Sequence, residues 1–337
     1  MSAFLDSMVA KAKADLQTIV LPEGNDARVV EAGSRAQQDG LANIVILGDP
    51  EVVASHGFNL DGVTIENPED SPRHDEFAAR LQEIRAHKGM TLEEASEQVK
   101  DVQVYGIMMV EMGYADGMAS GAVHTTASTL RPALQIIKTA PDAKLVSSFF
   151  VMVVPDCELG DNGTFVFSDC ALNQYPDAEQ LSEIAVASAD SFKNFVGDEP
   201  IVALMSHSTY GSAQGPSVTT VQEATKLAKE KRPDLLIDGE LQADASMVQS
   251  VGDLKAPGSN VAGKANVLIF PDIDAGNIGY KLVQRLGKAE AYGPVTQGLR
   301  KPVNDLSRGC YPDDVYGVIA MTSVQAQAAK AKAAAEK

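Results

Sequence analysis

The sequence predicts an α/β protein built of doubly wound sheets, on three observations. Short, continuously apolar runs recur along the chain, as in strands buried on both faces. Amphipathic stretches with a helical period separate them. The spacing between the first two runs fits a right-handed crossover joining parallel neighbours. The 337 residues, 45% hydrophobic and 22% charged, are globular in composition and long enough for about two domains at ~150 residues each.

Residues 18–21 (Thr-Ile-Val-Leu) read as the first strand, followed by a Pro-Glu-Gly-Asn-Asp turn, a helix over 27–38 and a second strand over 44–47. Residues 63–65 form a short strand, 71–87 a helix with Pro72 near its start, and 92–99 a helix opened by Thr91. A second set of alternations begins near Lys144, with strands over 145–154 and 164–168 and a helix over 177–195. That helix places Leu181, Ile184, Ala185, Phe192 and Phe195 on one face, with Ser188 as its only polar member. A strand at 201–205, a helix at 218–230 and strands at 235–237 and 267–270 continue the pattern. Pro312 opens a helix running through Ile319, and 326–337 reads as a terminal Ala/Lys helix. No Gly/Ser linker or fixed-period repeat interrupts the series.

Lys and Arg total 28 against 46 Asp and Glu, a formal charge of −18. A field of that sign excludes nucleic acid and anionic membrane as partners, and an anionic substrate then needs local arginines or helix N-termini. The three cysteines, Cys157, Cys170 and Cys310, are odd in number and far apart, which predicts free thiols in a reducing compartment and no structural zinc. The opening residues lack a secretory pattern, and the apolar run at 145–154 is far short of the roughly 20 residues that span a bilayer. A soluble, cytoplasmic protein is expected.

Among motifs, Gly258–Ala265 approaches a phosphate-binding P-loop but has Ala265 where Ser or Thr holds magnesium, and no strand precedes it. There is no GxGxxG after a strand and no HExxH. The five histidines lack metal-ligand spacing, so no metal is expected. His124 stands out within Ser120-Gly-Ala-Val-His-Thr-Thr, ahead of a helix carrying Arg131. Small residues there leave backbone N–H groups free for an anion; the plainer reading is a capped helix with a surface arginine. Residues 292–314 mix glycine, proline, hydroxyl, thiol and both charge signs, and read as a reactive loop whose end sets Asp313 and Asp314 in a first helical turn. Acidic residues in that turn also simply complement the helix dipole. Residues 270–285 read as strand, loop and helix, with Gly276, Asn277 and Gly279 at a sheet's carboxyl edge and Lys281 and Arg285 sharing a helical face. A tight turn with a solvated basic face is the alternative.

The segments LPEGNDARVVEA (21–32), SGAVHTTASTLRPALQIIKT (120–139), PDIDAGNIGYKLVQRL (271–286) and KPVNDLSRGC (301–310) together resemble phosphate acetyltransferase, the phosphotransacetylase family, in its short single-module form. The resemblance implies reversible acetyl transfer from acetyl-CoA to phosphate. It also implies two α/β domains of the isocitrate-dehydrogenase-like kind, 1–141 with 296–337 and 142–295, an active-site cleft between them, and a homodimer. By resemblance Asp314 matches the general base, Ser307 the partner of the CoA thiol, and Arg308 the cation at the reacting acyl phosphate. Arg131 and Arg285 match further active-site arginines, and Arg85 an arginine linked to CoA binding. Ser120, His124, Gly276, Asn277 and Gly279 are carried as substrate-binding candidates, and CoA as a substrate with no tightly bound cofactor.

The chemistry is coherent without the resemblance. A thiol with pKa near ~8.5 is only a few per cent thiolate at neutral pH, so a carboxylate accepting its proton contributes roughly 10²–10⁴ in rate. A helix N-terminus and a nearby arginine favour ionised Asp314, which weights it towards orienting the thiol. The competing route is a ping-pong reaction through an acetylated Cys157 or Cys310. Tyr210, where the family has Lys in many members, and Asp274 depart from the pattern. The alternatives are phosphate butyryltransferase, a decarboxylating dehydrogenase of the same fold, and a CoA-binding module without turnover.

Overall fold

The structure, a computed structural model, describes residues 2–197 and 199–335. In chain order its elements are α1 (Ala3–Ala14), β1 (Thr18–Leu21), α2 (Ala27–Gln38), β2 (Asn43–Leu47), α3 (Pro50–Ser55), β3 (Thr64–Glu66), α4 (His74–Arg85), α5 (Leu92–Gln98), α6 (Val102–Met112), β4 (Gly117–Ser120) and α7 (Thr126–Ile136). There follow β5 (Ser147–Val153), β6 (Thr164–Ser168), α8 (Ala178–Phe195), β7 (Ile201–Met205), α9 (Pro216–Lys231), β8 (Leu236–Leu241), α10 (Ala243–Met247), α11 (Gln249–Lys255), β9 (Val267–Ile269), α12 (Ile273–Leu286), β10 (Glu290–Gln297), β11 (Val303–Asp305) and α13 (Pro312–Ala335). Two compact units result: residues up to Ala143 together with those from Leu299 onward, and Lys144–Gly298.

In the first unit the sheet order is β11-β4-β1-β2-β3, with every pair parallel. The chain winds outward from β1 through β2 to β3, then returns to place β4 on the other side of β1. Connections therefore leave β1 and β4 in opposite senses, and doubly wound sheets place their sites at such a switch point. The sequence reading contains neither β4 nor α6. Strand β4 is Gly-Met-Ala-Ser because α13 packs closely on it: a Cβ at Gly117 would sit 2.6 Å from Thr322 Cγ2. Helix α6 buries Tyr105, Ile107, Met108 and Val110 and has no polar stripe, so periodicity cannot reveal it. Its ends are nonetheless conventional, with the Asp101 carboxylate accepting from Gln103 and Val104 N–H and Gly113 left-handed at the C-terminus. The two helices expected over 312–319 and 326–337 are one, α13, and Glu336 and Lys337 lie outside the described residues.

The second unit has a six-stranded sheet, β10-β5-β6-β9-β7-β8. Strands β6, β9, β7 and β8 are parallel, whereas β10 and β5, and β5 and β6, are antiparallel. The short connection from β5 to β6 has no room for a crossover helix, so that pair must run antiparallel. The stretch from 292 to the helix at Pro312, expected as a loop, is not one throughout: its first residues complete β10 and 303–305 form β11. Gly293-Pro294 hides β10 in sequence, and the register shifts there between Tyr292 and Val295. The predicted face of α8 is buried throughout, including Ser188. Phe150 on β5 stacks on Tyr280 of α12 with ring centroids 4.1 Å apart, and burying each such ring contributes about 1.5–3 kcal/mol.

Candidate active site

Three connections emerge side by side from the carboxyl edge of the first sheet, after β1, β4 and β11, because these strands are neighbours in register (Val20 with Met118, Ser120 with Asp305). The turn after β4 was expected to offer free backbone N–H groups to an anion. Instead the chain fills it with its own carboxylate. Glu23, 1% exposed, accepts from Gly121 N–H (2.9 Å) and Ala122 N–H (2.8 Å) on Oε2, and from Val123 and His124 N–H (both 3.0 Å) on Oε1. The His124 ring Nδ1 lies 2.7 Å from the same Oε1. A buried carboxylate needs such a set of donors, and four successive N–H groups supply it. Ser120 is also fully buried, its hydroxyl accepting from Gln103 Nε2 at 2.7 Å.

Ser307, Arg308 and Asp314 lie on one connection, between β11 and the first turn of α13. Ser307 O accepts from Cys310 N–H at 2.9 Å, which tightens the turn, and Arg308 is exposed at its tip. Asp314 Oδ2 accepts from Tyr311 N–H at 2.8 Å, the reach of a first-turn carboxylate back to the residue before the helix. Its neighbour Asp313 turns away to Arg35, 2.6 Å from Nη1. The Cys310 thiol is 5% exposed, and burial pushes it up to about 11 with the Arg28 cation opposing. It is therefore protonated at neutral pH and poorly suited as a nucleophile. Cys170 is buried too and its thiol raised by desolvation, while Cys157 is half-buried.

Asp305, the last residue of β11, lies beneath this connection. It is 1% exposed, and desolvation raises its carboxyl to about 7, aided by the Glu23 charge and opposed by the Thr126 hydrogen bond. Thr126 Oγ1 donates to its Oδ2 at 2.6 Å, whereas Oδ1 has no hydrogen-bond partner among the described residues.

The remaining candidates lie on α7 and α4 of the first unit and α12 of the second. Arg131 is exposed on α7, which follows the Glu23-filled turn, and α4, ending in Arg85, packs against α7. Arg85 Nε is buried without a partner among the described residues. Arg285 is exposed on α12 of the second unit. In that helix Asn277 is used internally, Nδ2 donating to Cys170 O at 3.0 Å and Oδ1 accepting from Lys281 Nζ at 3.1 Å. Gly276 lies against the Asp169–Cys170 backbone, and a Cβ at Gly279 would meet Phe270 at 3.0 Å. These glycines let the helix approach the loop and ring. Tyr210 donates to Asp238 Oδ2 at 2.6 Å, and Asp274 is exposed in the first turn of α12.

Sequence reasoning assigned no role to Glu23, Asp26, Arg28 or Asp305. The signal available is a cluster of charges directly after the first apolar strand, where ligands of α/β folds bind, within the segment 21–32 that also carries the family resemblance.

The sequence profile of the phosphate acetyl/butaryl transferase family matches residues 3–323. The phosphate acetyltransferase of Acetivibrio thermocellus is 57% identical over 331 residues, covering 98% of this chain and 100% of that protein. The crystal structure of a phosphotransacetylase from Streptococcus pyogenes superposes with a TM-score of 0.90 at 45% identity, over 97% of this chain and 100% of that one. A 4-hydroxythreonine-4-phosphate dehydrogenase from Klebsiella pneumoniae, 12% identical with a TM-score of 0.51 over 92% of this chain and 100% of its own, shares the fold.

Proposed function

The chain belongs to the phosphate acetyl/butaryl transferase family, and on that premise we propose how its residues perform acetyl transfer between coenzyme A and phosphate. The enzyme is an acyltransferase acting as a phosphate acetyltransferase; coenzyme A and phosphate are its substrates. Asp314 orients the CoA thiol and accepts its proton as the thiolate attacks the acetyl carbonyl of acetyl phosphate. The C–S bond forms, the C–O bond to phosphate breaks, and phosphate leaves with the electron pair. In reverse, a phosphate oxygen attacks the thioester and Asp314 returns the proton to the departing thiolate. Ser307 hydrogen-bonds the sulfur, and Arg308 offsets charge on the carbonyl oxygen and phosphate, a contribution of about 10²–10³ in rate for one positioned donor. Arg131, Arg285 and Arg85 hold the anionic parts of the substrates, a task suited to planar guanidinium forks.

The observation that carries this reading is the single connection holding a hydroxyl, an exposed guanidinium and a carboxylate at the edge of a parallel sheet. The buried, protonated Cys310 thiol favours direct transfer in a ternary complex over acetylation of Cys310. The three free thiols support a reducing, cytoplasmic setting, and no helix among the described residues is long and apolar enough to cross a membrane. A homodimer is supported by Ile278, Leu282 and Leu286, 59%, 52% and 79% exposed at successive turns of α12.

The test is thiol release from acetyl-CoA with and without phosphate, beside butyryl-CoA and Asp314→Asn. Phosphate-dependent release favouring acetyl-CoA, lowered about 10²–10⁴-fold in the variant, is expected. Equal release by the variant would remove Asp314 from the mechanism, and no phosphate-dependent release from either thioester would overturn the reading.

A further inference from the structure

We propose that Arg28 is a positioning residue that sets the geometry of the Ser307–Asp314 connection from the far end of the sequence. Its guanidinium has five N–H groups, and each has an acceptor. Nε donates to Asp26 Oδ1 (3.0 Å), Nη1 to the carbonyls of Arg308 (2.9 Å) and Cys310 (3.0 Å), and Nη2 to Asp26 Oδ2 (2.8 Å) and Ala122 O (2.9 Å).

One planar group thus ties three connections together. The Asp26 carboxylate, 12% exposed and itself the N-cap of α2, fixes the plane of the fork. The other edge reads two carbonyls bracketing Gly309 and one carbonyl of the turn that Glu23 holds. Arg308 and Ser307 are thereby held at the tip and base of one clamped turn. The clamp makes no demand on the fold's apolar core, since Arg28 lies on the rim with 31% of its side chain exposed. Lysine has three donors from a single atom and no plane, so it cannot reproduce the three-way contact.

The inference rests on the proposed roles of Ser307, Arg308 and Asp314. Its test compares kcat, KM and Tm of Arg28→Lys, Arg28→Ala and Asp26→Asn with the wild-type enzyme under the same thiol-release assay. Arg28→Lys is expected to lower kcat about 10²-fold, the scale of loss when reacting groups shift by about an ångström, with KM for phosphate and acetyl-CoA within about threefold and Tm well above the assay temperature. Millimolar methylguanidinium is expected to restore part of kcat to Arg28→Ala, and ammonium to restore none. Should the Arg28 variants fail to fold, Asp26→Asn carries the test: it keeps the helix cap but loosens the fork, and lower kcat at unchanged KM is expected. Wild-type kcat in folded Arg28→Lys, or in Asp26→Asn where the former does not fold, would overturn the proposal. A wild-type enzyme without phosphate-dependent release would instead overturn the functional reading beneath it.

Discussion

At the residue scale, the carboxylates of the first unit divide by their partners. Glu23 accepts from four backbone N–H groups, two on each oxygen, so Glu23→Gln would turn an amide N–H₂ against two donors that now meet an oxygen. A loss of about 1–3 kcal/mol is expected from each buried donor left unmet, read as a fall in the urea midpoint at unchanged slope. Asp305 has the opposite problem, too few donors. Its folded-state carboxyl is raised from 3.8 to about 7, so between those values the folded chain holds a proton that the unfolded chain releases. Its contribution is fully present below about pH 4 and is lost as pH rises through 7. Urea midpoints measured from pH 4 to 8 are expected to fall more steeply in the wild type than in Asp305→Asn, and equal slopes would contradict the assignment.

At the element scale, the start of α13 separates two adjacent acids. Asp313 pairs with Arg35 on an exposed surface, 75% and 35% exposed, where ion pairs contribute about 0–1 kcal/mol. Asp313→Asn is therefore expected to keep kcat within twofold, in contrast to Asp314→Asn. The turn between β4 and α7 is less forgiving. Gly121 has φ +122°, and a Cβ there would come 2.6 Å from Leu306 N while striking the Asp305 carboxyl. Gly121→Ala is expected to lower both Tm and kcat, since it strains the backbone and pushes on the β11 connection at once. Thermal melts and steady-state rates on the same preparation check this.

At the scale of the whole molecule, the two-unit α/β order rests on patterns that sequence displays well. Strands β1, β2 and β7 and helices α2 and α8 each carry a clear period or a pure apolar run. What stayed hidden has specific causes. Helix α6 is buried on all sides, β4 is built of small residues under α13, and β10 is broken by Gly293-Pro294. The stretch 292–314 stands out in sequence by its mix of reactive groups, but the roles proposed for Ser307, Arg308 and Asp314 come from family resemblance, because a connection has no period to read. Glu23 and Arg28 escaped because their partners lie 98 and 280 residues away, and no local pattern encodes such a bond. If the proposed homodimer uses the exposed stripe of α12, Leu282→Asp shifts sedimentation towards the monomer, and an unchanged sedimentation coefficient would remove that stripe from the interface.

The most direct measurement is the initial rate with acetyl phosphate and coenzyme A both varied. Direct transfer between substrates bound together predicts reciprocal plots that intersect, with no acetyl group retained by the protein after acetyl phosphate alone. Parallel lines, with acetyl recovered on Cys157 or Cys310, would contradict it.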